Sequence, residues 1–130
     1  MRKDETNIIV VKSKAFALRC IKLYRYLCDV KREFVLSKQL LRSATSIGAN
    51  VREGLRGQSA ADFGAKMNIA LKEACESEYW IEPLTDSDHL TAQEGESLMN
   101  DCKELNRILT SMVKTTFTKQ QQLCIVNCAL

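Results

Sequence analysis

The sequence predicts an all-α protein with a single domain, folded as an antiparallel up-down-up-down four-helix bundle. The chain has 130 residues, which is enough for one sizeable core. It contains one proline and five glycines, and so few turn-forming residues favour long helices over a β fold. Four stretches carry apolar residues at three- and four-residue spacing, and only short links separate them.

The first helix is expected over residues 10–30, after a frayed N-terminus of residues 1–9. Its apolar residues step by four and three positions, as one face of a bundle helix requires: Phe16, Cys20, Leu23, Leu27 and Val30. Basic residues lie on the opposite side: Lys12, Arg19, Lys22, Arg25 and Arg32. A solvated basic face is the simpler interpretation of this side, and a nucleic-acid surface is the alternative.

The second helix is expected over residues 35–56, and it ends before Gly57, a residue type common just after helices. Its apolar face consists of Leu40, Ala44, Ile47, Val51 and Leu55. Gly48 and Gly54 lie inside the helix, and each costs about 1 kcal/mol relative to alanine. These glycines indicate either tight packing or a functional role. The outer positions form a thinner basic stripe: Arg42, Thr45, Ala49, Arg52 and Arg56.

The third helix is expected over residues 60–84, with Ser59 as its cap and Asp62 in its first turn. Its apolar face is an unbroken series: Phe63, Met67, Ala70, Ala74, Ser77, Ile81 and Leu84. Pro83 lacks an amide hydrogen and clashes with the carbonyl four residues earlier, so we expect a kink or a stop there. Trp80 lies on the flank of the face, where we expect an edge or subunit contact.

The fourth helix is expected over residues 92–116, because Thr91 and Glu94 have the spacing of a capping box. Its apolar face consists of Leu98, Cys102, Leu105, Leu109 and Met112. Residues 118–130 are expected to form a flexible C-terminal tail, so the bundle itself covers residues 10–117.

The charges are divided unevenly between the two halves of the chain. Residues 1–66 contain 14 Lys/Arg and 6 Asp/Glu, a net charge of +8. Residues 67–130 contain 5 and 10, a net charge of −5. A basic half favours binding to a polyanion, or to the acidic half of a neighbouring copy.

The composition is that of an ordinary soluble protein, with 45% hydrophobic and 27% charged residues. No run of about 18 apolar residues occurs, and the apolar run near the N-terminus is too short for a signal peptide. We therefore expect a cytoplasmic protein with no membrane partner. In that compartment the six cysteines are interpreted as reduced structural thiols, with disulfides as the less favoured alternative.

The sequence lacks the motifs of the common catalytic and metal sites. His89 is the single histidine and falls in a predicted loop, and no Cys-x-x-Cys pair occurs, so no metal site is expected. A phosphate-binding glycine loop and a nucleophile elbow are also absent. We therefore expect a protein that is not an enzyme and that has no cofactor.

Three polar residues lie close to the predicted apolar faces: Asn50, Glu53 and Glu78. Asn50 and Glu53 are one helical turn apart, and Glu78 follows the apolar-face residue Ser77. Buried polar groups must find partners, so the favoured interpretation is a core polar network that sets the register of the helices. A ligand or proton-transfer site is the less favoured interpretation.

Two functions are compatible with this pattern. The first is binding of RNA or DNA through the basic faces of helices 1 and 2, by Arg19, Lys22, Arg25, Arg42, Arg52 and Arg56. The second is a protein–protein interaction scaffold, whose charged faces form contacts between subunits. Salt dependence separates the two, because phosphate contacts release counterions and weaken steeply with salt.

Three motifs resemble a known bacterial family. They are the run Ser46-Ile47-Gly48-Ala49-Asn50-Val51-Arg52-Glu53-Gly54, the pair Asp62-Phe63, and the acidic and aromatic series from Ile69 to Trp80. Over residues 11–116 the chain resembles the four-helix-bundle proteins encoded by intervening sequences in 23S ribosomal RNA genes, also labelled S23-type. Pro83 and the tail beyond Thr118 depart from the family pattern.

The resemblance implies properties that the residues alone do not. It implies a homopentameric ring, in which the basic half of one copy can meet the acidic half of the next. It also implies similarity to the accessory proteins of diversity-generating retroelements, which are pentamers thought to engage nucleic acid and a reverse transcriptase. The partners expected on this basis are other copies of the chain, RNA or DNA, and a reverse-transcriptase-like or other protein.

Overall fold

The protein consists of four helices connected by short loops. A computed structural model describes the backbone of residues 3–129 and the side chains of residues 6–118. The helices are α1 (Lys3–Asp29), α2 (Leu36–Leu55), α3 (Ala60–Asp86) and α4 (Ala92–Ala129), and no strand occurs in the described backbone. α1 and α3 each pack against α2 and α4, and the contact between α1 and α4 is the smallest of the four. In the part of the chain described, no helix is both long enough and apolar enough to cross a membrane.

The apolar faces of the helices meet in one core. The predicted face of α4 is buried throughout, and that of α3 is buried from Met67 to Leu84, with Phe63 half-buried. The predicted faces of α1 and α2 are buried except near their ends, where Leu23 is half-buried and Val30 and Leu55 are exposed. Val30 lies just beyond α1 and Leu55 is the last residue of α2, so neither reaches the core.

Contacts between neighbouring helices run in opposite order along the chain. On α2 and α3, Ser43 bonds Ser77 through their hydroxyls at 2.8 Å, whereas Glu53 pairs with Lys66 at 2.8 Å. α3 and α4 show the same order. Glu78 accepts a hydrogen bond from Asn106, whereas a side chain at Gly64 would touch Thr116.

The predicted caps of α3 and α4 are confirmed. The Ser59 hydroxyl accepts a hydrogen bond from the Asp62 amide at 3.1 Å. Thr91 and Glu94 form a reciprocal capping box, in which each side chain accepts from the other residue's amide at 3.1 and 3.2 Å. These caps satisfy amides that have no partner within the helix.

We expected a kink or a stop at Pro83, and the stop is wrong, because α3 continues to Asp86. The proline removes one helical hydrogen bond, while Ile81 and Leu84 on either side are buried in the core. The helix then ends in a Schellman pattern. The amides of Asp88 and His89 donate to the carbonyls of Thr85 and Leu84, both at 3.0 Å.

Helical backbone extends beyond the expected bounds at both ends of the chain. α1 begins at Lys3 rather than near residue 10, and α4 runs to Ala129 rather than ending near residue 116. Residues 3–9 contain no glycine or proline, and Ile9 is completely buried in the core. Residues 117–129 also lack helix breakers. Met1, Arg2 and Leu130 lie outside the described residues.

The connection between α1 and α2 contains a cap that the sequence analysis missed. The Glu33 carboxylate accepts hydrogen bonds from the amides of Val35, Leu36 and Ser37 at 3.0, 2.9 and 2.7 Å. Partial burial raises the pKa of Glu33, but these hydrogen bonds together outweigh burial and lower the pKa below its usual value. The preceding residue, Arg32, has a φ of 58°, a left-handed conformation that favours glycine.

Candidate nucleic-acid interface

Arg19, one of the six residues predicted to contact nucleic acid, instead contacts α4. Its Nη1 lies 2.7 Å from Asp101 Oδ2, and its Nη2 donates to the Ser97 hydroxyl at 2.8 Å. About two helical turns earlier on α1, Lys12 pairs with Glu104. Both ion pairs bridge the sparsely packed seam between α1 and α4. The guanidinium of Arg19 is therefore already paired within the molecule.

Arg42, a second predicted ligand, is held by two carboxylates of α3. Its Nη2 lies 2.5 Å from Glu76 Oε2, and its Nη1 lies 3.6 Å from Glu73 Oε2. The hydrogen bond from Arg42 lowers the pKa of Glu76, to which the Trp80 indole also donates at 3.2 Å. Burial raises the pKa of Glu73, whose Oε2 has no hydrogen-bond partner among the described residues. Arg42 therefore compensates a partly buried pair of acids.

The other four predicted ligands are exposed and carry no ion pair within the described part of the chain: Lys22, Arg25, Arg52 and Arg56. Lys14 and Lys38 share these properties on the same two helices. Lys38 continues the outer stripe of α2, since its spacing to Thr45 is two helical turns, and this spacing is a signal that the sequence analysis overlooked.

These exposed basic residues without an ion pair are spread along the length of α1 and α2. Lys22 and Arg25 lie near the end of α1, beside the short connection, whereas Arg52 and Arg56 lie at the far end of α2. Ser13 of α1 lies opposite Gly48, where an added side chain would come within 3.3 Å of the serine hydroxyl. From this register the axial distance between Lys22 and Arg52 is roughly 20 Å. That span matches about six phosphates along one strand of a duplex.

The outer row of α1 is not purely basic. Ile8, Val11 and Leu18 are exposed apolar residues on α1. Val11 and Leu18 alternate with Lys14, Lys22 and Arg25 at three- and four-residue spacing, so these five share one row. Exposed apolar side chains beside charged ones are typical of protein contact surfaces.

The three residues predicted as a core polar network are not brought together. The Asn50 side-chain amide donates to the Ser46 carbonyl of its own helix at 2.8 Å. Glu53 is exposed and pairs with Lys66, and Glu78 accepts from Asn106 of α4. They make three separate contacts, because helical spacing puts them near the core edge but facing different neighbours. The polar pair that is buried between helices is Ser43 with Ser77.

The described residues show buried thiols but no cluster able to hold a metal ion. Cys20 and Cys102 are buried and free, and burial raises the pKa of Cys20 to about 12. Burial also raises the pKa of Cys102, whose thiol donates to the Ala74 carbonyl at 3.2 Å. No group of three His, Cys, Asp or Glu side chains in this part of the chain has metal-binding geometry. A protonated thiol is a poor nucleophile, so these two cysteines are packing residues.

Together, these features define a single-domain four-helix protein with an apolar core and a charged exterior. The chain belongs to the 23S rRNA-intervening sequence protein family, whose model matches residues 5–111. A search of curated proteins returns no match.

One solved structure is similar over nearly the whole fold. It is the crystal structure of a protein of unknown function from the S23 ribosomal protein family of Bacteroides thetaiotaomicron. The two chains are 50% identical, with a TM-score of 0.83, and the match covers 85% of this chain and 98% of that chain. The resemblance to the S23-type family is therefore confirmed, and the function of that relative is described as unknown.

Proposed function

We propose that this protein is a non-enzymatic, homo-oligomeric nucleic-acid-binding protein. It contacts nucleic acid through exposed lysine and arginine side chains on the outer sides of α1 and α2. The observation that carries the proposal is a group of exposed basic residues on the outer sides of α1 and α2 that have no ion pair within the described residues: Lys14, Lys22, Arg25, Lys38, Arg52 and Arg56. Long, exposed cations at helical spacing suit the phosphate backbone rather than base edges, so binding is expected to be independent of sequence.

The test is a titration of labelled RNA hairpin and duplex DNA at 50 and 200 mM salt. Six phosphate contacts, one for each of these residues, predict a loss of affinity of roughly 1,000-fold between these concentrations. The variant K22E/R25E/R52E is expected to lose binding. The matched control K72E/K103E/K114E makes the same change in net charge on exposed residues of α3 and α4 and is expected to retain most of it. Equal losses in both variants would assign binding to overall charge instead of this surface.

A protein–protein scaffold is the second candidate, and the exposed Val11 and Leu18 on α1 favour it. Apolar contacts lose little strength with salt, so a scaffold would keep its partner at 200 mM salt. A reverse-transcriptase-like protein is one such partner, motivated by the resemblance given above. Absence of nucleic-acid binding at low salt, together with salt-resistant binding of a protein partner that V11D/L18D abolishes, would replace the first candidate by the second.

We also propose that the helices form an antiparallel up-down-up-down bundle and that copies assemble into a ring of five. The opposite order of contacts between neighbouring helices supports the topology. The division of charge supports head-to-tail assembly, since a basic half can face an acidic half around a closed ring. A pentamer has about five times the chain mass of 14.7 kDa by light scattering, and a monomer at micromolar concentration would exclude the ring. A cytoplasmic location remains part of the same proposal.

A further inference from the structure

Two connections share one end of the molecule. Leu23, near the end of α1, and Leu90, in the connection between α3 and α4, line the same cleft. Arg42, in the first half of α2, pairs with Glu76 in the second half of α3. The connection formed by residues 30–35 therefore lies at the same end as the connection formed by residues 87–91.

The connection over residues 30–35 is both apolar and basic. Val30, Phe34 and Val35 are 62%, 49% and 69% exposed. Lys31 and Arg32 are also exposed, and the Arg32 guanidinium lies 5.2 Å from the centre of the Phe34 ring. Glu33 is the acid in this segment, and its carboxylate is turned toward the first amides of α2. The result is an apolar patch with a positive rim, a combination typical of a contact surface.

The other connection and its flanking turns are acidic. No lysine or arginine occurs between residues 73 and 102. Glu82, Asp86, Asp88 and Glu96 are exposed and carry no ion pair within the described residues. One end of the molecule thus presents a positive patch beside a negative one.

The two connections also share an unusual backbone feature. Arg32 has a φ of 58° and Asp88 a φ of 63°. Glycine adopts this left-handed conformation most readily, yet both positions carry a charged side chain. The two charges are of opposite sign, one in each connection.

We propose that two copies of the chain associate end to end about a twofold axis, with the basic connection of each copy against the acidic connection of the other. Because both patches lie on one end, a single twofold rotation forms two equivalent contacts at once. Burial of Val30, Phe34 and Val35 supplies attraction, and the opposite charges fix the register. This pairing goes beyond the proposed function, because it leaves the outer sides of α1 and α2 open and can join single chains or rings.

The test is sedimentation of charge-reversal variants, with each variant's fold checked by thermal unfolding. The wild-type chain is expected to show a concentration-dependent doubling of mass. R32D and D88K are each expected to weaken that doubling roughly tenfold, because each places like charges together in both contacts. Mixing R32D with D88K is expected to restore the doubling as a mixed pair, since every contact is then attractive. R107D, at an exposed arginine of α4 outside both connections, makes the same charge change as R32D and is the control.

A second pair of variants avoids the left-handed positions. Lys31 precedes Arg32 and Asp86 is in the last turn of α3, and neither residue has an unusual φ. K31E and D86K are therefore expected to act as R32D and D88K do, without a change at a left-handed position. Absence of any doubled species, unequal effects of the two reversals, or failure of the mixture to recover would each overturn the proposal. Nucleic-acid titration of the same variants separates it from the proposed function. Loss of RNA binding in R32D with unchanged mass would assign the basic connection to nucleic acid instead.

Discussion

Glu33 shows how one side chain can begin a helix. Its carboxylate accepts three successive amides at the start of α2, while its carbonyl accepts the Ser37 hydroxyl at 2.9 Å. Those amides have no partner within the helix and would otherwise require water. The negative charge also lies at the positive end of the helix dipole. Glu33 therefore contributes both hydrogen bonds and charge.

Replacing Glu33 should destabilise the protein in a pH-dependent way. E33A is expected to lower the free energy of unfolding by about 1–2 kcal/mol at pH 7. Because the folded pKa of Glu33 is lowered, its contribution is present above the unfolded value of about 4.3 and is lost as pH falls through the folded pKa. Urea unfolding at pH 7 and at pH 3 measures the difference. E82A, at an exposed acid, is the control, and a loss independent of pH would contradict the assigned charge effect.

Arg42 is expected to act on stability more than on ligand binding. R42A leaves the acids of α3 without their cation, and the Glu73 side chain is only 20% exposed. Arg42 itself is 52% exposed, so solvent screening limits the expected loss to about 1 kcal/mol. The pKa of Glu73 is raised by burial, so its ionised form opposes folding. Removing the cation should therefore cost most at neutral pH and little below the usual pKa of a glutamate.

The measurement for Arg42 is unfolding by urea at pH 7 and pH 3.5, beside salt-dependent RNA binding. R52A, at an exposed arginine of the same helix without an ion pair, is the matched control. We expect R42A to lower the free energy of unfolding and leave RNA binding unchanged. We expect R52A to weaken RNA binding and leave the free energy of unfolding unchanged. If R42A and R52A weaken RNA binding equally, Arg42 also contacts nucleic acid.

At the scale of elements, the close approach of helices depends on glycines placed opposite particular neighbours. A side chain at Gly95 of α4 would lie 2.8 and 3.1 Å from Cγ2 and Cβ of Thr85 on α3. A side chain at Gly48 of α2 would meet only the Ser13 hydroxyl closer than 3.7 Å. Gly95 therefore permits the contact between α3 and α4, whereas Gly48 leaves room for a small side chain.

Alanine at these two positions should have opposite effects. G95A is expected to destabilise by about 1–3 kcal/mol, because Cβ of Thr85 cannot rotate away from the added methyl group. G48A gains up to about 1 kcal/mol of helix propensity with a mild contact, so we expect a neutral or stabilising change. Thermal unfolding of both variants measures the difference. Equal destabilisation would show that α2 and α1 pack more tightly at Gly48 than the distances indicate.

At the scale of the whole molecule, the helices are joined unequally. α2 and α3 share the largest contact, whereas α1 and α4 share the smallest, and exposed ion pairs of Lys12 and Arg19 bridge their seam. Exposed pairs of this kind contribute little stability and are weakened by salt. The α1–α4 seam is therefore the part of the bundle most easily opened.

Hydrogen exchange should reveal this inequality. Amides over residues 10–29 of α1 are expected to exchange faster than those of residues 63–84 of α3, because opening of the α1–α4 seam needs less buried surface to be exposed. Raising the salt concentration should widen the gap. Mass-spectrometric exchange at 50 and 500 mM salt measures it, and equal protection of α1 and α3 at both concentrations would contradict the expected order.

Much of the fold could be predicted because its causes are local. The caps at Ser59 and Thr91 depend on residues within one turn, and the apolar faces of α3 and α4 follow from spacing alone. Of the kink or stop expected at Pro83, the stop does not occur, because burial of Leu84 outweighs one missing hydrogen bond. Glu33 was missed because glutamate is uncommon as a helix cap, and its role depends on the loop that turns it toward α2.

The sequence by itself determined four amphipathic helices, their order and the separation of charge, since each follows from residue type and spacing. Only the tertiary structure decided which charges are free. Arg19 and Arg42 share the basic faces with Lys22 and Arg52, yet their acidic partners come from α4 and α3. It also decided that Asn50, Glu53 and Glu78 have separate partners. The physical reason is that spacing sets the direction of a side chain around its own helix, whereas a partner is supplied by whichever helix packs beside it.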